Sequence, residues 1–213
     1  MEIDVLGNHS SRVYKLLASV IVPRPIAWVT SLDGQGRVNA APFSFFNLMG
    51  ASPPILAFNV GNLEDGSPKD TLANVGTTKE FVVNLVHRDI AKKMNICAIN
   101  FPPGLSELPP AGLTTAESIK VQVPRIAESR VQMECTLAEI VRIGDNHIII
   151  GKIVYLHIDD AFMDEETMRV RTPELDLIGR MHGTGWYTGT SDLFEIDRMT
   201  YKEWLEPNGR VES

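Results

Sequence analysis

The stretch from Arg130 to Ile158 constrains the fold more than any other part of the chain. Val131, Met133, Cys135 and Leu137 alternate with polar Gln132, Glu134 and Thr136, the two-residue period of a strand with one buried face. Gly144-Asp145-Asn146 supplies turn chemistry, and His147 to Ile158 reads as the returning strand of a hairpin.

Shorter apolar runs surround this hairpin. Ile26 to Ser31 reads as a strand, and the turn-forming LDGQGR after it leads into Val38 to Phe46, a partner in which Pro42 demands an edge or a bulge. Ala51-Ser52-Pro53-Pro54 breaks the chain before Ile55 to Val60, and Glu80 to Val86 forms a further strand. Helices are short: one starts near Ser67, and another spans Arg88 to Ala98 with Ile90, Met94 and Cys97 at roughly helical spacing. Phe101 to Gly112 holds prolines at 102, 103, 109 and 110 and predicts a long surface loop. At least six strands, joined largely by turns, predict a mostly-β antiparallel barrel or sandwich with a few short helices.

The regular strand–helix alternation of a doubly wound sheet is missing, and so is its dinucleotide loop. Gly34-Gln35-Gly36 lacks a third glycine, and Gly183, Gly185 and Gly189 are spaced too widely. At 213 residues the chain suits one domain, 1–213, large enough to bury a core without disulfides. Twenty basic against twenty-seven acidic residues leave a net charge of −7, which weighs against a nucleic-acid surface. Val38 to Leu63 is uncharged and long, but Pro42, Pro53 and Pro54 spoil it as a membrane helix. Met1-Glu2-Ile3-Asp4 lacks the order of a signal peptide, and a cytoplasmic location is expected.

His9, His87, His147, His157 and His182 form no metal motif. His147 and His157 lie ten residues apart on one strand, about 33 Å if it is straight. Cys97 and Cys135 sit in apolar patterns, as packing residues do. No catalytic side chain and no metal site is assigned, so any reactivity would come from a bound cofactor.

One segment has the chemistry of an anion site. In Gly66-Ser67-Pro68-Lys69-Asp70-Thr71, Ser67 fits an N-cap, Pro68 the first helical position and Asp70 a capping box. Lys69 opposes the positive end of the helix dipole, at a cost of about 0.3–1 kcal/mol. A phosphate held by the backbone amides, Lys69 and Thr71 would reverse that sign; a solvated lysine on a capped helix is the alternative. Asn39 to Asn47 is a second signal. Ala40 and Ala41 let a flat ligand approach the backbone, while Ser44 and the phenylalanines offer a hydroxyl and apolar walls, or else they pack an ordinary strand. Thr30 and Ser31 end a strand with two hydroxyls, either ligand contacts or a turn cap.

Together, Pro23 to Ser31, Asn39 to Asn47, Ser67 to Asn74, Glu80 to Leu85 and the hairpin from Glu134 to Gly151 resemble the flavin reductase-like, FMN-binding split-barrel family. The resemblance spans roughly Tyr14 to Asp159, with weaker similarity near Gly179 to Tyr187 in a C-terminal extension, 160–213. It implies a Greek-key antiparallel split barrel, usually a homodimer with one FMN per subunit. Thr30 and Ser31 would lie by the ribityl chain or phosphate, and Ala41, Pro42, Phe43 and Ser44 along the isoalloxazine ring. Asn59 would close the near side, and Ser67, Lys69, Asp70 and Thr71 would hold the phosphate. The implied activity is NAD(P)H:flavin oxidoreduction, with NADH or NADPH as donor and a monooxygenase or other acceptor as partner. A flavoredoxin-like electron carrier and a non-catalytic flavin-binding module are the alternatives. Asn146 interrupts the family's Gly-Asp-His, and His182 replaces a glycine of its Arg-x-Gly-Gly, which leaves the roles of His147, His182 and Tyr187 open.

Overall fold

The computed structural model describes residues 1–7, 12–102 and 104–205. His9, Pro103 and the end of the C-terminal extension lie outside them. The main elements in chain order are α1 (Val13–Val20), β1 (Ala27–Leu32), β2 (Val38–Phe43), β3 (Phe46–Ala51), β4 (Pro54–Val60), α2 (Asp70–Thr78), β5 (Glu80–Asn84) and α3 (Ala91–Ile96). Short β6 (Thr115–Ala116) and β7 (Arg125–Ile126) pair with each other, followed by the long β8 (Val131–Ile143) and β9 (Asn146–Ile158). Two small ribbons, β10–β11 (Met163–Asp164, Arg169–Val170) and β12–β13 (Ile178–Arg180, Tyr187–Gly189), precede α4 (Tyr201–Leu205).

Seven strands form one antiparallel sheet in the order β2-β1-β5-β8-β9-β4-β3. Its two edge strands are consecutive in sequence, with only Ser44 and Phe45 between them. Laid flat, such a sheet would separate its edges by about 29 Å, six interstrand spacings. The link from Phe43 to Phe46 reaches no more than about 11 Å. The sheet is therefore rolled into a barrel, and register shifts in β8 between Glu134 and Cys135 and between Leu137 and Glu139 help it bend.

β1 is buried on both faces, which explains its nearly continuous apolar run. Ala27 and Val29 face the barrel interior with Phe58, Phe81, Val83 and Ile149, and Leu72 and Val75 of α2 join the same cluster. Ile26 and Trp28 face outward into a second cluster with Ile90, Met94 and Cys97. The two cysteines are buried and free, as their apolar settings predict.

Several expectations need correction. Val38 to Phe46 is two strands, because the chain turns at Ser44-Phe45 from one sheet edge to the other. α1, absent from the sequence reading, carries Val13, Leu16, Leu17 and Val20 at helical spacing but buries only Ala18. The second helix begins at Asp70, not Ser67, and Lys69 occupies its N-cap without a side-chain cap. Asp65 takes both the amide and the hydroxyl of Ser67, while Leu63 N–H donates to the Ser67 carbonyl at 2.8 Å and holds the segment extended. The proposed capping box therefore does not form. Glu134 points away from the interior, yet it is buried beneath the loop after β6. It accepts from the amides of Ile119, Lys120 and Val121 and pairs with His157 at 2.6 Å.

Gly151 on β9 lies against the ring of fully buried Phe81, where an added β-carbon would overlap the ring. Gly151→Ala should cost about 1–3 kcal/mol in chemical denaturation, the usual penalty for overpacking a tight core.

Candidate functional site

β2 has one neighbour, β1, so half of its backbone groups face away from the sheet. Pro42 sits opposite Trp28. Because proline has no N–H, this is a non-hydrogen-bonded pair, and position 42 directs its backbone outward, where an amide would have no ladder partner. The alternation makes Ala40 outward-facing too, and its N–H donates to the Glu107 carboxylate at 2.8 Å. The free edge of β2 is thus the floor of a groove, closed partly by the proline-rich loop that carries Glu107.

The groove has two connected lobes. One, of about 710 Å³ counting its open mouth, is lined by Asn39, Ala41, Pro42, Phe43, Lys69, Asp70, Thr71 and Glu107, with Cys97 to Phe101 opposite. The other, of about 560 Å³, shares Pro42, Phe43 and Ala98 with it and continues past Ser44 and Asn95 to Arg180, Thr184 and Tyr187. Asn39 on β2 donates to Thr71 Oγ1 on α2 at 3.0 Å, which locks the start of α2 beside the strand edge.

The fold brings Ala41, Pro42, Phe43, Ser44, Lys69, Asp70 and Thr71 together along this groove. The other sequence-derived candidates are placed differently. Thr30 and Ser31 are fully buried. Thr30 donates to the Pro124 carbonyl at 2.7 Å, and Ser31 accepts from Asn74 at 3.1 Å, so both hydroxyls are engaged inside the protein. Asn59 donates to Asn146 at 3.0 Å, and its own Oδ1 is shielded without a partner. Ser67 is held by Asp65. His147 is paired with Val60 at the end of β4 and lines neither lobe, and His182 is exposed and stacked on Trp186.

Of three further groove residues, Asn39 and Arg180 fall in segments singled out in the sequence but were given no individual role, and Glu107 falls in none. Glu107 was hidden in a loop that looked solvated. It is 6% exposed, and burial, with help from the charge of Asp70, raises its carboxyl above the ordinary value of 4.5 against the opposing Ala40 hydrogen bond. Beside it, burial and the Glu107 charge push the Cys97 thiol up to about 12. Cys97 is therefore a protonated packing residue at neutral pH, not a nucleophile. Among the described residues no cluster of metal-ligating side chains occurs, and no helix is long and apolar enough to cross a membrane.

Comparison with known proteins gives consistent matches. Residues 19–177 match the flavin reductase like domain. The structure of nitrilotriacetate monooxygenase component B from Bacillus cereus aligns with a TM-score of 0.87 at 32% identity, over 92% of this chain and 98% of that one. The 2-nitrobenzoate 2-nitroreductase of Pseudomonas fluorescens aligns with a TM-score of 0.85 at 34% identity, over 94% and 98% of the two chains. A protein of Deinococcus radiodurans is 43% identical over 208 residues, 95% of this chain and 92% of its own.

Glu107 gives the site a pH signature. A carboxyl raised in the folded state favours folding below its unfolded value of 4.5, and that contribution is lost as pH rises through the folded value. Glu107→Gln keeps an acceptor for Ala40 and removes the charge. Thermal unfolding should show the variant more stable than the parent at neutral pH, with the gain vanishing below about pH 4.5.

Proposed function

The chain belongs to the flavin reductase-like family, and from that premise we propose that its groove holds FMN for NAD(P)H-dependent flavin reduction. The observation that carries this reading is the placement of Lys69 and the uncapped start of α2 at one end of a groove floored by a free strand edge. α2 is nine residues long, and its first turn presents backbone amides that need acceptors. A phosphate there meets the helix dipole, the Lys69 ammonium and the Thr71 hydroxyl, and turns the unfavourable lysine position into a favourable one. Ala41 and Pro42 leave room for a flat ring against the strand edge, and Phe43, anchored in the barrel 5.3 Å from Phe58, holds that edge in place. A dianionic phosphate is the feature that separates FMN from riboflavin, and it is what the Lys69 end recognises.

Bound flavin would accept a hydride from the nicotinamide and pass the electrons to an acceptor. The protein's part is positional. The β2 edge and the loop around Glu107 hold the ring and exclude water on one side, and the second lobe leaves access on the other. The similarity to component B of a monooxygenase supports delivery of the electrons to a partner enzyme. Tyr14, Leu17, Val20, Leu48 and Met49 are exposed on α1 and β3, an apolar face suited to a homodimer contact.

Lys69→Ala should weaken FMN binding by roughly ten- to a hundredfold, the weight of one charge-assisted hydrogen bond, without lowering the melting temperature. Unchanged affinity would remove Lys69 from the site. For the reaction itself, anaerobic mixing of the FMN-loaded protein with NADH or NADPH should bleach the visible flavin band within the turnover time. Bleaching only by an artificial reductant would contradict the reductase reading and favour an electron carrier.

A further inference from the structure

At the opposite end of the groove stands a cation with no counter-charge. Arg180 lies on β12, and reciprocal backbone hydrogen bonds with Arg24, at 3.0 and 2.8 Å, fix its place beside the groove. Its guanidinium packs over the Tyr187 ring at 4.7 Å, and Nη2 donates to the Gly183 carbonyl at 3.0 Å. Nη1 is shielded from water and has no hydrogen-bond partner. No ion pair among the described residues includes Arg180, although the chain carries a net charge of −7.

The surroundings sharpen the point. No residue lining this lobe is acidic. Arg24 adds a second guanidinium nearby, but each of its three nitrogens already donates within the protein, to the carbonyls of Ala18, Ile21 and Met181 and to Ser44. In Arg180, by contrast, one nitrogen, Nη1, donates to nothing. A guanidinium has only donors, arranged in a planar fork that matches a carboxylate or phosphate. A shielded donor without an acceptor is unfavourable, and Arg180 lines the lobe, so an anion taken up there meets a guanidinium without a counter-charge. Pro42 and Phe43 belong to both lobes, so an occupant of this one abuts whatever flat group lies along β2.

We propose that the Arg180 lobe recognises an oxyanion, a carboxylate or a phosphate, on the co-substrate that meets the flavin, and that Arg180 is the residue that binds it. The proposal rests on the FMN reading of the first lobe. The two sources of the oxyanion are an aromatic acid serving as electron acceptor and the phosphates of the nicotinamide nucleotide.

Equilibrium titration of the FMN-loaded protein with redox-inert probes tests this, with heat or perturbation of the flavin spectrum as the readout. Benzoate against uncharged benzamide reports a carboxylate; NAD+ and NADP+ report a phosphate. The parent protein should bind one anionic class. Arg180→Met should weaken that class by about tenfold, the weight of a charge-assisted hydrogen bond, and Arg180→Lys should recover part of the loss. FMN affinity should be unchanged in both variants. Loss confined to benzoate assigns the lobe to an aromatic acid, and loss confined to the nucleotides assigns it to the donor. Unchanged binding of every probe would overturn the proposal, and so would a loss of FMN affinity in Arg180→Met, which would give Arg180 to the cofactor. Failure of the parent to take up FMN would defeat the flavin reading itself, an outcome visible before any probe is added.

Discussion

Ser44 and Phe45 connect the outermost strands of a seven-stranded sheet, and that short link governs the rest of the molecule. It forces the sheet to roll, which encloses Phe58, Phe81 and Ile149 in a common interior. It also leaves the outer side of β2 without a strand partner. An unpaired edge is a liability that proteins cover or use. Here Pro42 removes one donor, Glu107 accepts from another, and the start of α2 is tied alongside through Asn39 and Thr71. The groove follows from how the barrel closes.

Charge is distributed unevenly along that groove. Lys69 stands at one end and Arg180 at the other, neither in an ion pair among the described residues. The buried carboxyl that lines the groove, Glu107, lies in the lobe nearer Lys69 and is itself disfavoured as an anion by burial. Two separated cations on an acidic protein suit a bound phosphate at one end and an anionic co-substrate at the other. The proposed flavin would give these two positions a joint purpose, because the shared floor of Pro42 and Phe43 lies between them.

Much of the architecture was legible in the residues. The alternation from Val131 to Leu137 and the turn at Gly144-Asp145 specify the long hairpin, because a two-residue period has only one physical meaning when a face is buried. The lysine at the start of α2 was legible as an anomaly of charge against dipole. Its cap was not: Ser67 has the right chemistry, but Asp65 competes for it two residues away. Thr30 and Ser31 show the same limit. Hydroxyls at a strand end suit a ligand or an internal partner equally, and only the folded contacts with Pro124 and Asn74 reveal which groups claim them. Glu107 and Arg180 depend on distant chain. Glu107 reaches Ala40 across 67 residues of sequence, and the strand bearing Arg180 is held by Arg24. Local pattern carries no trace of such pairings.

The central claim is that the Lys69 end of the groove is a phosphate site and that the ligand is FMN. The most direct measurement compares FMN with riboflavin by fluorescence quenching against the purified protein. The two differ only by the phosphate, so the account predicts that FMN binds at least about a hundredfold more tightly, as expected when helix amides and a lysine act together on a dianion. Equal affinity for the two would contradict it, because the Lys69 end would then contribute nothing to recognition.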